Sequence, residues 1–79
     1  MAKEPNKIFA DRILALLKEN GLSIAQLASL SKIPRTTLNN WLVHHHNPNL
    51  DALCKLALHF QCSIDYLVGL EDEFGGKLY

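Results

Sequence analysis

The chain has 79 residues, of which 48% are apolar and 20% are charged, and its eight basic and eight acidic side chains give zero net charge. These fractions are typical of one folded domain and not of a disordered chain. No apolar run approaches the ~18 residues of a membrane span. The N-terminal residues lack the apolar region of a signal peptide, so we expect a cytoplasmic protein. The balanced charge is unlike the basic excess that usually marks a nucleic-acid binder.

Apolar residues recur at helical spacing along the chain, and no segment alternates in the manner of a strand. The first stripe consists of Phe9, Ile13, Leu16 and Leu17, and the helix stop Asn20-Gly21 follows it. A later stripe consists of Leu50, Leu53, Cys54, Ala57 and Leu58. We expect both stripes to be buried, with Cys54 as a small core side chain.

Two shorter helices lie between these stripes. Ser23 and Gln26 fit a capping box, in which each residue bonds to the backbone amide of the other, so one helix begins there. The next helix begins near Pro34, because the fixed φ of proline suits a first helical turn. Its buried edge consists of Leu38, Trp41 and Leu42.

Asn49 and Ser63 are suited to cap two further helices, which brings the total to five. The connections are too short for β crossovers, so the sequence predicts a compact all-α fold. We divide the chain into an N-terminal arm (1–6), a five-helix domain (7–70) and an acidic, aromatic C-terminal tail (71–79).

The third helix has a polar face opposite its buried edge. That face carries Arg35, Thr36, Asn39 and Asn40 and no acidic residue. Arginine can bond O6 and N7 of guanine in bidentate fashion, and asparagine can do the same with N6 and N7 of adenine. A short, polar, acid-free helix face of this kind suits the DNA major groove.

Several motifs follow one another in the chain at characteristic spacings. They are Gly21-Leu22-Ser23, Gln26-Leu27-Ala28, the run from Ile33 to Trp41, Asn47-Pro48 and the run from Ser63 to Gly69. In these motifs the chain resembles the lambda-repressor-like helix-turn-helix regulators of the Xre or Cro type. The resemblance implies a five-helix domain whose helices 2 and 3 form the helix-turn-helix. It implies that the third helix runs from about Pro34 to His44 and is the recognition helix. It also implies a sequence-specific DNA-binding regulator, expected to be a repressor that acts as a homodimer.

The same resemblance implies residue roles. Arg35, Thr36 and Asn40 match the positions that usually read bases, and Asn39 lies beside them. The residues expected to face phosphates are Ser23, Lys32, Thr37, His45, His46 and Asn47. Lys32 stands where the family usually has glycine, so it must either tolerate a left-handed backbone, at a cost on the order of 1 kcal/mol, or shift the turn.

The last helix and the residues after it commonly serve dimerisation in this family. This implicates Tyr66, Leu70 and Phe74 in a dimer interface. The alternative is a tail whose aromatic residues take no part in association.

Other functional classes receive less support from the sequence. His44, His45 and His46 are consecutive and diverge on a helix end, whereas zinc needs converging ligands, so we expect no metal. No catalytic motif appears, and we expect neither an enzyme nor a cofactor nor a small-molecule substrate. The main rival is a helix-turn-helix fold used as a protein-interaction module, antitoxin-like or polymerase-binding, with weak DNA affinity.

The zero net charge is a sum over two unlike regions. Residues 1–64 carry seven basic and four acidic side chains, a balance of +3, and residues 65–79 carry one basic and four acidic side chains, a balance of −3. The helix-turn-helix therefore faces DNA with little anionic opposition. Few basic residues nonetheless predict few phosphate contacts and a shallow salt dependence of binding.

Overall fold

Five α-helices follow one another in the computed structural model, which describes residues 4–72 and 76–77. They are α1 (Pro5–Asn20), α2 (Ile24–Ser31), α3 (Arg35–Leu42), α4 (Leu50–Phe60) and α5 (Ile64–Val68). The predicted all-α class and helix count are confirmed. Within the described ranges, none of the helices has the length and apolar character needed to cross a bilayer.

The capping residues and the helix stop that the sequence predicts are present at the ends of the helices. Gly21 ends α1 in the left-handed conformation at φ 65°, where a residue without Cβ is favoured. The capping box is formed, since the Gln26 amide donates to Ser23 Oγ (3.1 Å) and the Ser23 amide donates to Gln26 Oε1 (2.8 Å). Asn49 and Ser63 each accept from the amide three residues further on, at 2.8 and 3.0 Å.

One apolar core joins all five helices. Its buried residues are Phe9, Ala10, Ile13, Leu17, Leu27, Ile33, Leu38, Trp41, Leu42, Ala52, Leu53, Leu56, Ala57 and Leu67. Phe9 of α1 meets Trp41 of α3 edge to face, with ring centroids 6.4 Å apart. The first predicted stripe is buried apart from Leu16, which is partly buried. The predicted buried edge of α3 is confirmed.

The predicted buried face of α4 is wrong by about one residue position around the helix. Cys54 is exposed, and Leu50 and Leu58 are 78% and 80% exposed. Leu53 and Ala57 of the predicted stripe are buried, and Ala52 and Leu56 complete the buried face. Because α4 is apolar on most of its circumference, two faces roughly 100° apart both showed helical spacing. Spacing alone therefore did not determine which face packs.

The third helix ends earlier than predicted, at Leu42 instead of about His44. The His46 amide donates to the Asn40 carbonyl (3.0 Å), and His45 takes the left-handed conformation at φ 57°. These two features turn the chain out of the helix. The three histidines therefore lie in the α3–α4 connection and not on a helix end.

Arg12 ties the end of the domain to α1. Its guanidinium carbon lies 4.3 Å from the ring centroid of Tyr66, an arrangement typical of a cation–π contact. The same guanidinium donates to the carbonyl oxygens of Tyr66 and Glu71, the latter at 2.6 Å. The chain that follows α5 is thus fixed against α1 as far as Glu71.

A small polar cluster holds the described part of segment 71–79. Lys77 Nζ lies 2.8 Å from the Asp65 carboxylate and 2.9 Å from that of Glu71, and the Ser63 hydroxyl donates to Glu71 at 2.8 Å. Hydrogen bonds from Lys77 and then Ser63 lower the pKa of Glu71 below its ordinary value. Phe74 lies outside the described residues.

Candidate nucleic-acid interface

The third helix presents two chemically distinct faces. Leu38, Trp41 and Leu42 are at most 6% exposed and belong to the core. The opposite side consists of Arg35, Thr36, Asn39 and Asn40, all of which are exposed. The structure therefore places the four predicted base-reading residues together on one accessible surface, which we call the α3 outer face.

The cations beside the α3 outer face, Lys32 and Arg35, are not paired with a carboxylate of any described residue. Neither α2 nor α3 contains an acidic residue. The ion pairs among the described residues join Glu4 to Lys7, Asp51 to Lys55, and Lys77 to both Asp65 and Glu71. Lys32 and Arg35 form no ion pair with any residue that the structure describes. An anionic ligand would meet both cations without displacing a described carboxylate.

The start of α3 offers backbone donors as well. Its N-cap is Pro34, which has no side-chain acceptor for the first turn. The amides of Arg35, Thr36 and Thr37 precede the first intrahelical bond, which the Leu38 amide donates to the Pro34 carbonyl (3.0 Å). Unpaired amides at a helix N-terminus, together with the helix dipole, favour an anion.

A lysine of the α2–α3 turn and a lysine of α4 line the same depression. Lys32 adopts the left-handed conformation at φ 60°, as expected of a residue in place of glycine. Beside it lies a depression of about 260 Å³, lined by Lys32, Ile33, Pro34, Thr37, Trp41, Asn49, Asp51, Ala52 and Lys55. Lys32 and Thr37, both predicted phosphate contacts, therefore share one surface. Lys55 joins them and was missed, because nothing in the linear sequence relates it to Lys32.

The predicted phosphate contacts of the α3–α4 connection lie at the other end of α3. His46 and Asn47 are exposed, and His45 is half-buried. Asn6 of α1 donates a hydrogen bond to the His45 carbonyl and so tethers the loop to the first helix. An eight-residue helix is about 12 Å long, so this group is separated from the α2–α3 turn by that distance.

The histidine run shows no metal-binding geometry. The ring centroids of His44 and His46 are 6.2 Å apart. Within residues 4–72 and 76–77, no three His, Cys, Asp or Glu side chains converge in a way that could hold an ion.

Ser23, a predicted phosphate contact, is partly engaged within the chain, and the predicted dimer residues Tyr66 and Leu70 differ in exposure. The Ser23 hydroxyl oxygen already accepts from the Gln26 amide, which leaves its hydroxyl hydrogen as a donor. Tyr66 is half-buried beneath Arg12, whereas Leu70 is 45% exposed.

Comparison with known proteins identifies relatives of this fold. A helix-turn-helix family model matches residues 13–67. The chain is 30% identical over 66 residues to the uncharacterized HTH-type transcriptional regulator YobD of Bacillus subtilis (strain 168). The matched residues make up 84% of this chain and 59% of that protein. The crystal structure of a transcriptional regulator from Listeria innocua matches with a TM-score of 0.70 at 34% identity, over 89% of this chain and 65% of that one.

The chain thus spans less than two thirds of the length of either relative. Both relatives are named as transcriptional regulators and neither as an enzyme, in agreement with the lack of a catalytic motif in the sequence. The match to the family model covers more than half of the chain, from the middle of α1 into α5. The chain therefore belongs to the helix-turn-helix family, in its Xre or lambda-repressor-like branch.

Proposed function

We propose that the chain is a sequence-specific DNA-binding transcriptional regulator, a repressor that binds its operator as a homodimer. The observation that carries this proposal is the α3 outer face. Four exposed polar side chains stand there on a helix that the core fixes through its opposite side. In helix-turn-helix proteins the second helix of the motif enters the major groove, and the helix before it crosses the backbone.

Each side chain of the α3 outer face has a distinct role in the proposed readout. Arg35 bonds a guanine through O6 and N7, and Asn40 bonds an adenine through N6 and N7, with Asn39 beside it. Thr36 contacts a thymine methyl group or donates its hydroxyl hydrogen to a base edge. Because Arg35 has no ion pair with any described residue, binding does not have to break one.

Phosphate contacts at both ends of α3 would set its register in the groove. Lys32, Thr37 and the uncapped first-turn amides form one anchor. His45, His46 and Asn47 form the other, about 12 Å away along the helix, and Ser23 supplies a third contact at the start of α2. Contacts of this kind position a protein on the duplex without reading its sequence.

Two copies would place their recognition helices in successive major grooves of a pseudo-palindromic site, with half-sites about one helical turn apart. The dimer would act in the cytoplasm on double-stranded DNA. It would require neither a cofactor nor a small-molecule substrate.

The rival function is a protein-interaction module, and the zero net charge favours it. Fluorescence anisotropy against mixed-sequence duplex DNA, repeated at increasing salt, separates the two. We expect binding at low salt and a shallow salt slope of about −2 to −4 for a dimer, because each helix-turn-helix offers two cations, Lys32 and Arg35, that form no ion pair with a described residue. Binding that is absent at low salt, or unchanged in a Lys32→Ala/Arg35→Ala variant, would contradict the DNA-binding proposal and favour the rival.

A further inference from the structure

The outward side of α4 carries a row of apolar residues that no other described part of the chain covers. Leu50, Cys54 and Leu58 follow one another at intervals of four residues, and we call them the α4 outer row. Leu50 and Leu58 are 78% and 80% exposed, more than any other large apolar side chain among the described residues. Isolated exposed leucines are ordinary, but three apolar residues in one row on a folded domain mark an interaction surface.

The second helix extends this surface. Leu30, in the last turn of α2, is 56% exposed. Leu30 and Leu58 line the same shallow depression, of about 460 Å³, together with Ser31, Lys32, Lys55 and His59. The apolar surface therefore continues from α4 to the end of α2.

The α4 outer row is complementary to itself. It is symmetric about Cys54, with one leucine four residues before it and another four residues after it. When two copies of α4 cross in opposite directions, Leu50 of each copy faces Leu58 of the other. The small Cys54 side chains meet at the two-fold axis and allow close approach. Rows at intervals of four residues are the ridges used in the commonest class of helix packing.

The charges beside the row favour the same arrangement. Asp51 flanks its N-terminal half, and Lys55 and His59 flank its centre and C-terminal half. Asp51 and Lys55 are exposed and lie 3.4 Å apart within the helix. Antiparallel pairing brings the Asp51 carboxylate of each copy towards the basic side chains of the other copy, whereas parallel pairing aligns like charges. Complementary flanking charges of this kind fix orientation and exclude wrong pairings.

We infer that the α4 outer row, together with Leu30, is the surface through which two copies of this chain pair about a two-fold axis at Cys54. The inference rests on the proposed function for the expectation of a homodimer and assigns a different face to it. At the end of α5, Tyr66 is engaged by Arg12, and Leu70 is the exposed large apolar side chain that the described residues offer there. One short helix and one leucine make a small isologous interface, so the free dimer is weak.

Sedimentation equilibrium over about two decades of protein concentration tests the assignment. We expect the wild-type chain to dimerise and Leu50→Ser/Leu58→Ser to raise the dimer dissociation constant at least about tenfold. The matched control is Leu14→Ser/Leu70→Ser, which also removes two exposed leucines and should leave the dissociation constant unchanged. Circular dichroism verifies that each variant is folded. A wild-type chain that stays monomeric, or a dimer lost in the control and kept in the row variant, would overturn the inference.

Cross-linking through the native Cys54 locates the axis. Cys62 is half-buried and burial raises the pKa of its thiol, and Cys62→Ser removes it as a competitor. Disulfide formation requires Cα atoms within about 7 Å. Copper–phenanthroline oxidation should therefore link Cys54 to Cys54 at least about tenfold faster than it links a Cys54→Ser/Ala15→Cys control, in which the thiol lies on the exposed side of α1. Equal rates would overturn the inference.

Binding to a duplex that carries a single half-site separates this inference from the proposed function. The row variant should bind such a half-site as the wild-type chain does, because the α3 outer face is untouched. DNA binding without dimerisation through α4 would overturn the inference alone. Dimerisation through α4 without DNA binding would overturn the proposed function alone.

Discussion

The helices α3 and α4 pack into the same core but present opposite chemistry to their surroundings. The α3 outer face is polar and free of acids, and its Arg35 has no ion pair with a described residue. The α4 outer row is apolar, and the charges beside it, Asp51 and Lys55, pair with each other. A common scaffold thus offers one helix suited to base edges and another suited to a second apolar surface.

This difference also determines how clearly the sequence indicates which side of each helix is buried. In α3 the polar residues mark the outside, so the burial of Leu38 and Trp41 leaves the opposite side to a ligand. In α4 apolar residues occur on both sides, and only packing against the other helices selects which side is buried. Substitutions in and around the two helices test this contrast.

A matched pair of leucines tests which side of α4 is buried. Leu56 is fully buried and Leu58 is 80% exposed. Leu56→Ala should reduce the free energy of unfolding by about 2–5 kcal/mol, because it removes core contacts and leaves a cavity. Leu58→Ala should change it by no more than about 0.5 kcal/mol. Urea denaturation monitored by Trp41 fluorescence measures both. A larger loss for Leu58→Ala would reverse the orientation of α4 described above.

Arg35 tests whether the α3 outer face reads bases. Arg35→Ala should weaken binding to the preferred duplex by about 1–3 kcal/mol and relax preference at one base pair. The control is Lys18→Ala, which removes an exposed basic side chain from the last turn of α1, outside α2 and α3, and should leave the preference intact. If Arg35→Ala weakened binding to all duplexes equally, Arg35 would be a phosphate anchor instead.

Lys32 tests the turn that joins the two helices of the motif. Lys32→Gly should stabilise the fold by about 1 kcal/mol, because glycine adopts φ 60° without the steric cost of a Cβ. The same change should weaken DNA binding and reduce the salt slope by about 1 per copy. Denaturation and salt titration of one protein preparation measure both effects. Stability and affinity that moved in the same direction would contradict the role assigned to Lys32.

The cluster around Glu71 provides a pH effect that belongs to neither outer face. Folding lowers the pKa of Glu71 below its ordinary value of 4.5. The ionised Glu71 carboxylate therefore contributes its full stabilisation above pH 4.5, and this stabilisation is lost as the pH falls through the lower pKa of the folded state. Amide NMR should show Gly76 and Lys77 leaving their folded positions in that acid range. Glu71→Gln should abolish this transition. A transition that persists unchanged in Glu71→Gln would show that another group controls it.

Much of the motif could be predicted because its signals are local. The capping box at Ser23, the left-handed residue Lys32 and the apolar edge of α3 all depend on residues within a few positions of one another. The approach of Lys55 to Lys32 and the hydrogen bond from Asn6 to the His45 carbonyl depend on how distant segments pack. Tertiary contacts of this kind leave no trace in spacing.

The early end of α3 has the same explanation. Helix propensity gave no reason to stop before His44, and the turn depends on the left-handed backbone of His45 and its tether to α1. The buried side of α4 is likewise set by the surfaces of α2 and α5 that it meets. Sequence patterns therefore predicted which residues form helices more completely than how those helices face one another.

Selection of bound sequences from a random pool of duplex DNA tests whether the α3 outer face reads a specific site. We predict enrichment of two inverted half-sites with centres about one helical turn apart. Repeating the selection with Arg35→Ala should erase the preference at one symmetric pair of positions and leave the rest of the site recognisable. A pool that shows no enriched sequence, or a preference unchanged by Arg35→Ala, would contradict the claim.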